Sequence, residues 1–565
     1  MPNPSNPLII QSDFSLLLEV FNEKFEEVRN GLTKFAELIK SPEHIHTYQI
    51  TALSLWNAAA AGNKLEDIKA FFLEYSKFEI PENILVEISY IYKKFGTVEI
   101  HKYEPDNTKL ILYFKDENIE KEVMSNPKLK KFVLSFLSPQ KYLVNLLSRG
   151  ELKLAFLSYD IPVFDIAGYV EGKKIDIKLR DIALSGKKFG LREYQLMASD
   201  AFFHSGSSLG GHGTIVLPCG SGKTIVAIDV MSKVKAYTLI LTTSVAAVHQ
   251  WVNEILDKTS LTADDIGEYS GEKKEIKPVT ICTYQILIYR KNKDEWFKHF
   301  DIFRNEEWGL IIYDEVHLLP APIFKVTSEI QSTRRLGLTA TLVREDNKEK
   351  DVFCLIGPKK FDTPWKVLEK QMWIAEALCF EIKVPLSEEF LMEYLIADDK
   401  GKYSISSKNP NKINVLKELI AQHNGKLILI IGNFIDQITE IADLLNLPLI
   451  TGKTPNSARE RLYKQFKSGE IKVLVISKVG NFSIDLPDAS VLIQLSGTFG
   501  SRQEEAQRLG RILRPKLNNV SYFYTLITQD SVEEQYSHKR HRFLTEQGYS
   551  YKIDFWKKEE VLCQN

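Results

Sequence analysis

After Gly190 the chain alternates short, continuously apolar runs with stretches of helical character, and it does so twice. The first series lies at 214–217, 238–242, 279–282, 310–313 and 336–338. The second lies at 427–431, 448–450, 473–476, 491–495 and 522–527. Runs that lack the in–out alternation of a half-exposed strand belong to sheets buried on both faces, and the intervening helices supply the covers. The pattern predicts an α/β chain with two parallel-sheet domains in tandem, divided by an irregular stretch at about 348–411. No shorter repeat and no low-complexity tract interrupts it.

The part before Gly190 reads differently. Thr51 is placed to cap a helix starting at Ala52, with Leu53, Trp56 and Ala60 on one face. Residues 66–75 and 82–95 read as two more amphipathic helices, and 97–114 as two short strands around the turn Pro105-Asp106-Asn107. Helices followed by a hairpin suggest a winged-helix-like module, hence an α+β N-terminal region. With 565 residues, the chain exceeds what one hydrophobic core organises. A net charge of −1 provides no global positive field, so any nucleic-acid contact must come from local patches. The cysteines, Cys219, Cys282, Cys354, Cys379 and Cys563, show no CxxC spacing, which argues against a zinc ribbon or a disulfide framework. No apolar run approaches the roughly 18 residues that span a bilayer, and the start MPNPSNPLII lacks the signature of a signal peptide. A reducing, cytoplasmic setting with no membrane partner is expected.

Three segments carry chemistry. The first is LPCGSGKT: Leu217, Pro218, Cys219, Gly220, Ser221, Gly222, Lys223 and Thr224. It follows an apolar run and opens a helical stretch, the context a phosphate-binding loop requires. Its glycines let backbone N–H groups wrap phosphates, and the helix N-terminus adds its positive end. Lys223 is expected on the β- and γ-phosphates of ATP, and Thr224 on Mg²⁺. Leu217 stands where the longer form of this motif has glycine. Cys219 reads as a small residue in a tight loop. The second segment, DEVH, puts Asp314 at the end of an apolar strand, on the edge where open α/β sheets bind ligands. Asp314 is expected to hold Mg²⁺ and Glu315 to polarise the attacking water. His317 would couple nucleotide state to neighbouring motifs. The third, QEEAQRLGRILR, contains Gln507, a coupling candidate, and Arg511 and Arg514. These arginines are three apart, so they are expected on one helix face, reaching the γ-phosphate as arginine fingers. Together the segments describe an ATP-driven motor.

With these motifs in order, the chain resembles the XPB family of superfamily-2 DNA repair and transcription helicases over nearly its whole length. LREYQ, with Arg192 and Gln195, is similar to the adenine-contacting element. TTSVAAVHQW at 242–251 is similar to motif Ia, and Thr339-Ala340-Thr341 to motif III. Arg344-Glu345-Asp346 resembles the family's RED element, 476–487 its motif V, and SHKRHRF at 537–543 with Gln547-Gly548-Tyr549 its C-terminal ending. Residues 8–50 resemble its N-terminal region. The resemblance implies RecA-like motor domains and a DNA-dependent ATPase of 3′→5′ polarity acting at single-strand/duplex junctions. It also implies a monomeric motor, nucleoid-associated in a prokaryote, with a repair nuclease or other repair proteins as partners. Expected divisions are a helical, winged-helix-like domain (1–116), a small damage-recognition-like domain (117–185), an ATP-binding domain (186–347), a thumb-like insertion and linker (348–411) and a C-terminal helicase domain (412–565). Lys359, Lys360 and Trp365, with Lys366, Lys370, Phe361 and Trp373 nearby, could grip a strand, while the resemblance implies that Arg344, Glu345 and Asp346 meet the nucleic acid as the RED element. A sister family with an iron–sulfur cluster is excluded on ligand count, since only Cys282 lies between Lys223 and Asp314.

Several readings stay open. Strand separation and translocation without it are alternatives, as is a regulatory ATPase that scaffolds a repair complex. RNA is not excluded by motifs that grip backbone. Lys539, Arg540 and Arg542 either bind phosphate or face solvent. His44 and His46 share one side of a strand-like run, with no further ligand nearby to make a metal site.

Overall fold

The computed structural model describes residues 3–40, 44–292, 297–331, 333–341, 349–477, 489–497, 502–515 and 519–557. Two compact units divide the chain: Met1–Leu217 with Gly222–Thr363, and Pro364–Asn565 with the loop segment Pro218–Ser221. Each holds a seven-stranded parallel sheet.

In the first unit the strand order is Ile266–Tyr269, Val279–Thr283, Thr238–Thr242, Leu310–Asp314, Arg334–Thr339, His212–Val216 and Lys359–Asp362. The central strands are buried residue after residue, as continuous apolar runs require. The second unit has the order Leu449–Ile450, Val473–Ser477, Ile428–Gly432, Val491–Gln494, Val520–Thr528, Glu376–Val384 and Tyr551–Phe555. All ten expected apolar runs are strands. Residues 348–411, expected as one insertion, divide between the units: Lys359–Asp362 completes the first sheet, and Glu376–Val384 is an inner strand of the second.

Two smaller sheets precede the motor sheet within the first unit. Leu8–Ile10, Ser15–Glu19, Ile45–Gln49 and Glu37–Lys40 form an antiparallel sheet over a core that includes Leu18, Tyr48, Leu55 and Phe72. Helix Ala52–Ala60 begins as expected, with Thr51 and Ser54 capping each other's backbone N–H. Its buried side is Ser54, Leu55, Trp56 and Ala58, not the face through Leu53 and Ala60. Trp56 reaches into the core beneath the first seven-stranded sheet, beside Phe353. The hairpin Val98–Lys102/Lys109–Phe114 is not a wing. It is the centre of a five-stranded sheet with Val133–Ser138, Lys141–Asn145 and Val163–Asp165. A domain boundary at residue 116 would cut through that sheet. His46 is buried against Phe25, and burial, with Arg29 adding to it, pulls its imidazole down to about 4.

The five-stranded sheet is tied to the seven-stranded sheet of the same unit by buried charge. Arg149 holds Asp165 in a two-pronged pair, Nε to Oδ2 at 2.8 Å and Nη2 to Oδ1 at 2.6 Å. Lys153 sits 3.1 Å from the same carboxylate and donates to Gln331, which follows helix Ala321–Glu329. All four side chains are buried. The helix Arg149–Leu157 approaches so closely that a Cβ at Gly150 would lie 2.3 Å from the Ser328 carbonyl oxygen. Burial alone would raise the Asp165 carboxyl, but Arg149 and Lys153 outweigh it and hold the group well below the carboxylate range. Burial pulls the Lys153 ammonium down to about 8. An Asp165→Ala substitution strands two buried cations. It should cost about 3–5 kcal/mol, read as a lower urea midpoint for the first unit. Because the folded-state pKa of Asp165 is depressed, this stabilisation is present at neutral pH and is lost only as pH falls from the ordinary value of 3.8 toward the folded one.

Candidate ATP site and motor motifs

Strand His212–Val216 delivers the phosphate loop, and the Leu217 N–H donates to the Thr339 carbonyl at 3.0 Å. Gly220 and Gly222 both adopt positive φ, +79° and +85°. The Ser221 hydroxyl donates to the Pro218 carbonyl at 2.6 Å, closing the turn. Helix Lys223–Val234 then starts with Gly222 as its cap, a residue with no side chain to satisfy the first N–H groups. No acidic residue occupies the first turn. The positive end of this helix therefore points at the phosphate loop with no side-chain charge of its own to offset it. Lys223 bends back over the loop, Nζ to the Leu217 carbonyl at 3.3 Å.

Gln195 abuts this loop. Its Oε1 accepts from the Arg192 N–H at 2.9 Å, and a Cβ on Gly222 would fall 2.5 Å from its Nε2. Arg192, at the start of helix Glu193–Phe203, donates to the Tyr194 hydroxyl at 3.1 Å.

Strand Leu310–Asp314 brings the acidic pair to the carboxyl edge of the same sheet. Asp314 Oδ1 accepts the Glu315 N–H at 3.0 Å, and Oδ2 accepts the Trp251 indole N–H at 2.9 Å. The Tyr284 hydroxyl donates to the Asp314 carbonyl at 2.8 Å. Glu315 has φ +50°, a left-handed conformation that costs a side-chain-bearing residue energy and concentrates at functional turns. Burial pushes the Asp314 carboxyl up to about 6, the Glu315 charge adds to this, and the Trp251 bond and Lys223 charge oppose it. His317 is buried. Its Nδ1 lies 2.8 Å from Thr339 Oγ1 and 3.4 Å from Glu315 Oε2. A chain of contacts thus runs from Glu315 through His317 to Thr339, whose carbonyl holds Leu217. Among the described residues no cluster of three or more His, Cys, Asp or Glu forms a metal site. One hydroxyl and one carboxylate, Thr224 and Asp314, nevertheless suit Mg²⁺, which keeps waters and takes phosphate oxygens as its other ligands.

In the second unit helix Arg502–Gly510 carries Gln507, largely buried, and Arg508, wholly so. Arg508 donates to Gln494 at 2.6 Å and to Asn433 at 3.1 Å, binding the helix to the ends of two strands. The helix stops at Gly510, so Arg511 and Arg514 follow it on a turn and do not share a helix face. Pro515 follows at once and cannot continue a helix. Arg540 is buried beside Glu505, 3.7 Å from Nε to Oε2, and so does not face solvent.

Residues 368–560 match the ERCC3/RAD25/XPB C-terminal helicase family. Residues 188–344 match the type III restriction enzyme res subunit family, and 8–138 a family described as a helicase conserved C-terminal domain. A protein of Kineococcus radiotolerans named DNA 3'-5' helicase XPB is 47% identical over 548 residues, covering 97% of this chain and 96% of the relative. The chain belongs to the XPB family. A Mycobacterium tuberculosis XPB of the same name is 46% identical, with 97% of each chain covered. The Saccharomyces cerevisiae XPB/SSL2, named a general transcription and DNA repair factor IIH helicase/translocase subunit, is 31% identical over 97% of this chain and 72% of its own. Among solved structures, the Pyrococcus furiosus Hef helicase domain gives a TM-score of 0.42 at 14% identity, covering 61% of this chain and 97% of that one.

Of the residues expected to contact nucleic acid in this XPB chain, Arg344, Glu345 and Asp346 lie outside the described residues, as does motif V beyond Ser477. Lys359 pairs with Asp362, and its N–H donates to Asn57 at 2.9 Å. Lys360 donates to the Leu209 carbonyl at 3.0 Å, and burial pulls its ammonium down to about 8. Trp365 is buried edge-on against Tyr549, and its backbone N–H donates to Gln547 Oε1. All three make contacts within the fold, and the burial of Trp365 takes that ring away from any strand-gripping surface. Sequence reasoning passed over Trp251, Tyr284 and Arg508. Trp251 lies within the quoted motif Ia, on the sheet-facing stripe Ala247, Val248, Trp251, Ile255, which could have drawn attention to it. Gly222→Ala should weaken nucleotide binding at least about ten-fold through backbone strain and the clash with Gln195. Titration with a fluorescent ADP analogue measures this.

Proposed function

We propose that this XPB-family chain is an ATP-dependent 3′→5′ DNA helicase or translocase. The observation that supports it best is the joining of the phosphate loop, DEVH and Thr339 into one hydrogen-bonded circuit on the carboxyl edge of a parallel sheet. Near-full-length relatives named DNA 3'-5' helicase direct that circuit toward DNA. Lys223 and the first-turn N–H groups bind and orient the phosphates of ATP. Mg²⁺, held by Thr224 and Asp314, offsets phosphate charge when bound. Glu315 orients the attacking water and accepts its proton. Arg511 and Arg514 supply the positive charge that the transition state gathers. His317 links Glu315 to Thr339, so a change at the γ-phosphate reaches the strand ends. Arg192 and Gln195 recognise the base.

The yeast relative's printed name, helicase/translocase, favours a second reading in which duplex DNA is pumped without strand separation. Strand-displacement and triplex-displacement assays distinguish the two. In either reading a repair nuclease or other repair proteins act with the motor at damaged DNA, and the chain works as a monomer in the cytoplasm on the nucleoid. ATP turnover measured without nucleic acid, and with single-stranded DNA, duplex DNA and RNA, tests the proposal. DNA should stimulate turnover, and Lys223→Ala should lower it by about 100-fold or more. Equal turnover in all four conditions, or survival of activity in Lys223→Ala, contradicts the reading.

A further inference from the structure

The indole N–H of Trp251 donates to Asp314 Oδ2 at 2.9 Å. This bond crosses between two elements: Trp251 lies on helix Val245–Lys258, and Asp314 ends strand Leu310–Asp314. The helix is anchored at its start by Ser244, whose hydroxyl accepts the Ala247 N–H at 3.2 Å. Its buried stripe, Ala247, Val248, Trp251 and Ile255, faces the sheet, and the ring is only 2% exposed. Strands Thr238–Thr242 and Leu310–Asp314 are hydrogen-bonded neighbours, with Leu241 opposite Tyr313. The helix packs on strand Val279–Thr283, the other neighbour of Thr238–Thr242, and the Trp251 indole reaches across to the end of Leu310–Asp314.

We infer that Trp251 is a positioning residue that fixes the Asp314 carboxylate for Mg²⁺. The inference rests on Asp314 as the Mg²⁺ ligand of the proposed ATP site. A carboxylate at a strand end turns freely about its terminal torsion. Here each oxygen has an assigned donor, Trp251 on Oδ2 and the Glu315 N–H on Oδ1, while Tyr284 holds the main-chain carbonyl. The carboxylate plane is set from both sides, and each oxygen keeps a further lone pair. An indole suits this post because it donates only. It cannot accept a proton from Asp314, compete for the metal or take either oxygen's place as a ligand. Being buried, it also has no water to turn to, so the bond is mutual: the carboxylate satisfies the indole as the indole orients the carboxylate. Outer partners of metal-binding carboxylates act in this way, orienting the ligand before the ion arrives.

The test is Trp251→Phe in the full chain, with binding of a fluorescent ADP analogue followed with Mg²⁺ and with EDTA. Phenylalanine keeps a buried ring and removes the donor. Affinity in EDTA should match the parent, while the Mg²⁺ concentration that gives half of the tightening should rise about ten-fold. Asp314→Asn should remove most of the Mg²⁺-dependent tightening, and adding Trp251→Phe to it should change nothing further. β-(3-Benzothienyl)alanine at position 251 preserves the bicyclic shape without the N–H, and decides the matter if phenylalanine unfolds the domain. A parental Mg²⁺ response in the benzothienyl variant would make the tryptophan a packing residue only, and would overturn the inference. Equal loss in EDTA and in Mg²⁺ would overturn it too, by assigning Trp251 to the loop instead of the ion. If Asp314→Asn leaves the Mg²⁺ response intact, it is the ligand assignment of Asp314 that fails, a result separate from either of these.

Discussion

A parallel sheet covered by helices on both faces leaves only its edges for polar chemistry, and the first unit depends on that restriction. Its strands end together, so Leu217, Asp314 and Thr339, distant in sequence, arrive at one carboxyl edge. Hydrogen bonds join two of them, Leu217 to the Thr339 carbonyl and Thr339 onward to His317, whose ring lies 3.4 Å from Glu315 beside Asp314. Each of these contacts is made by the chain's own backbone and side chains, and fixed dipoles of this kind are what electrostatic preorganisation requires.

The second unit solves a related problem with buried charge. Arg508 is fully enclosed, and its guanidinium donors go to Gln494, Ser496, Asn433 and Glu504. An enclosed guanidinium is stable only with several acceptors in fixed places. The helix carrying it therefore has one seat on the sheet, and the turn bearing Arg511 and Arg514 leaves from a fixed point.

What could be read from the sequence follows from where the signal is local. Continuous apolar strands such as 310–313 and 428–431 announce themselves because both faces are buried. The phosphate loop is legible because its glycines, lysine and threonine are contiguous. Thr51 is legible because a cap is defined within four residues. Strand Lys359–Asp362 was hidden by its charges, and Glu376–Val384 by Glu381 and Lys383, which find partners inside the fold. The helix ending at Gly510 ran past its true stop because spacing of three suggests a face whether or not the helix continues. Trp365 read as a strand-gripping aromatic because composition does not reveal burial. Trp251 and Arg508 act through residues far away in sequence, Asp314 and Gln494, and only three-dimensional pairing shows them.

The enclosed pair of Arg149 and Asp165, with Lys153 reaching Gln331, gives the small five-stranded sheet a mechanical status. Sliding or rotating it on the motor sheet would drag two cations and a carboxylate out of register in a medium with no water to compensate. Such a joint has no soft mode. The five-stranded sheet is therefore fixed to the first parallel sheet as one stiff body, and a change of partner at either end of the joint would be felt as strain across both.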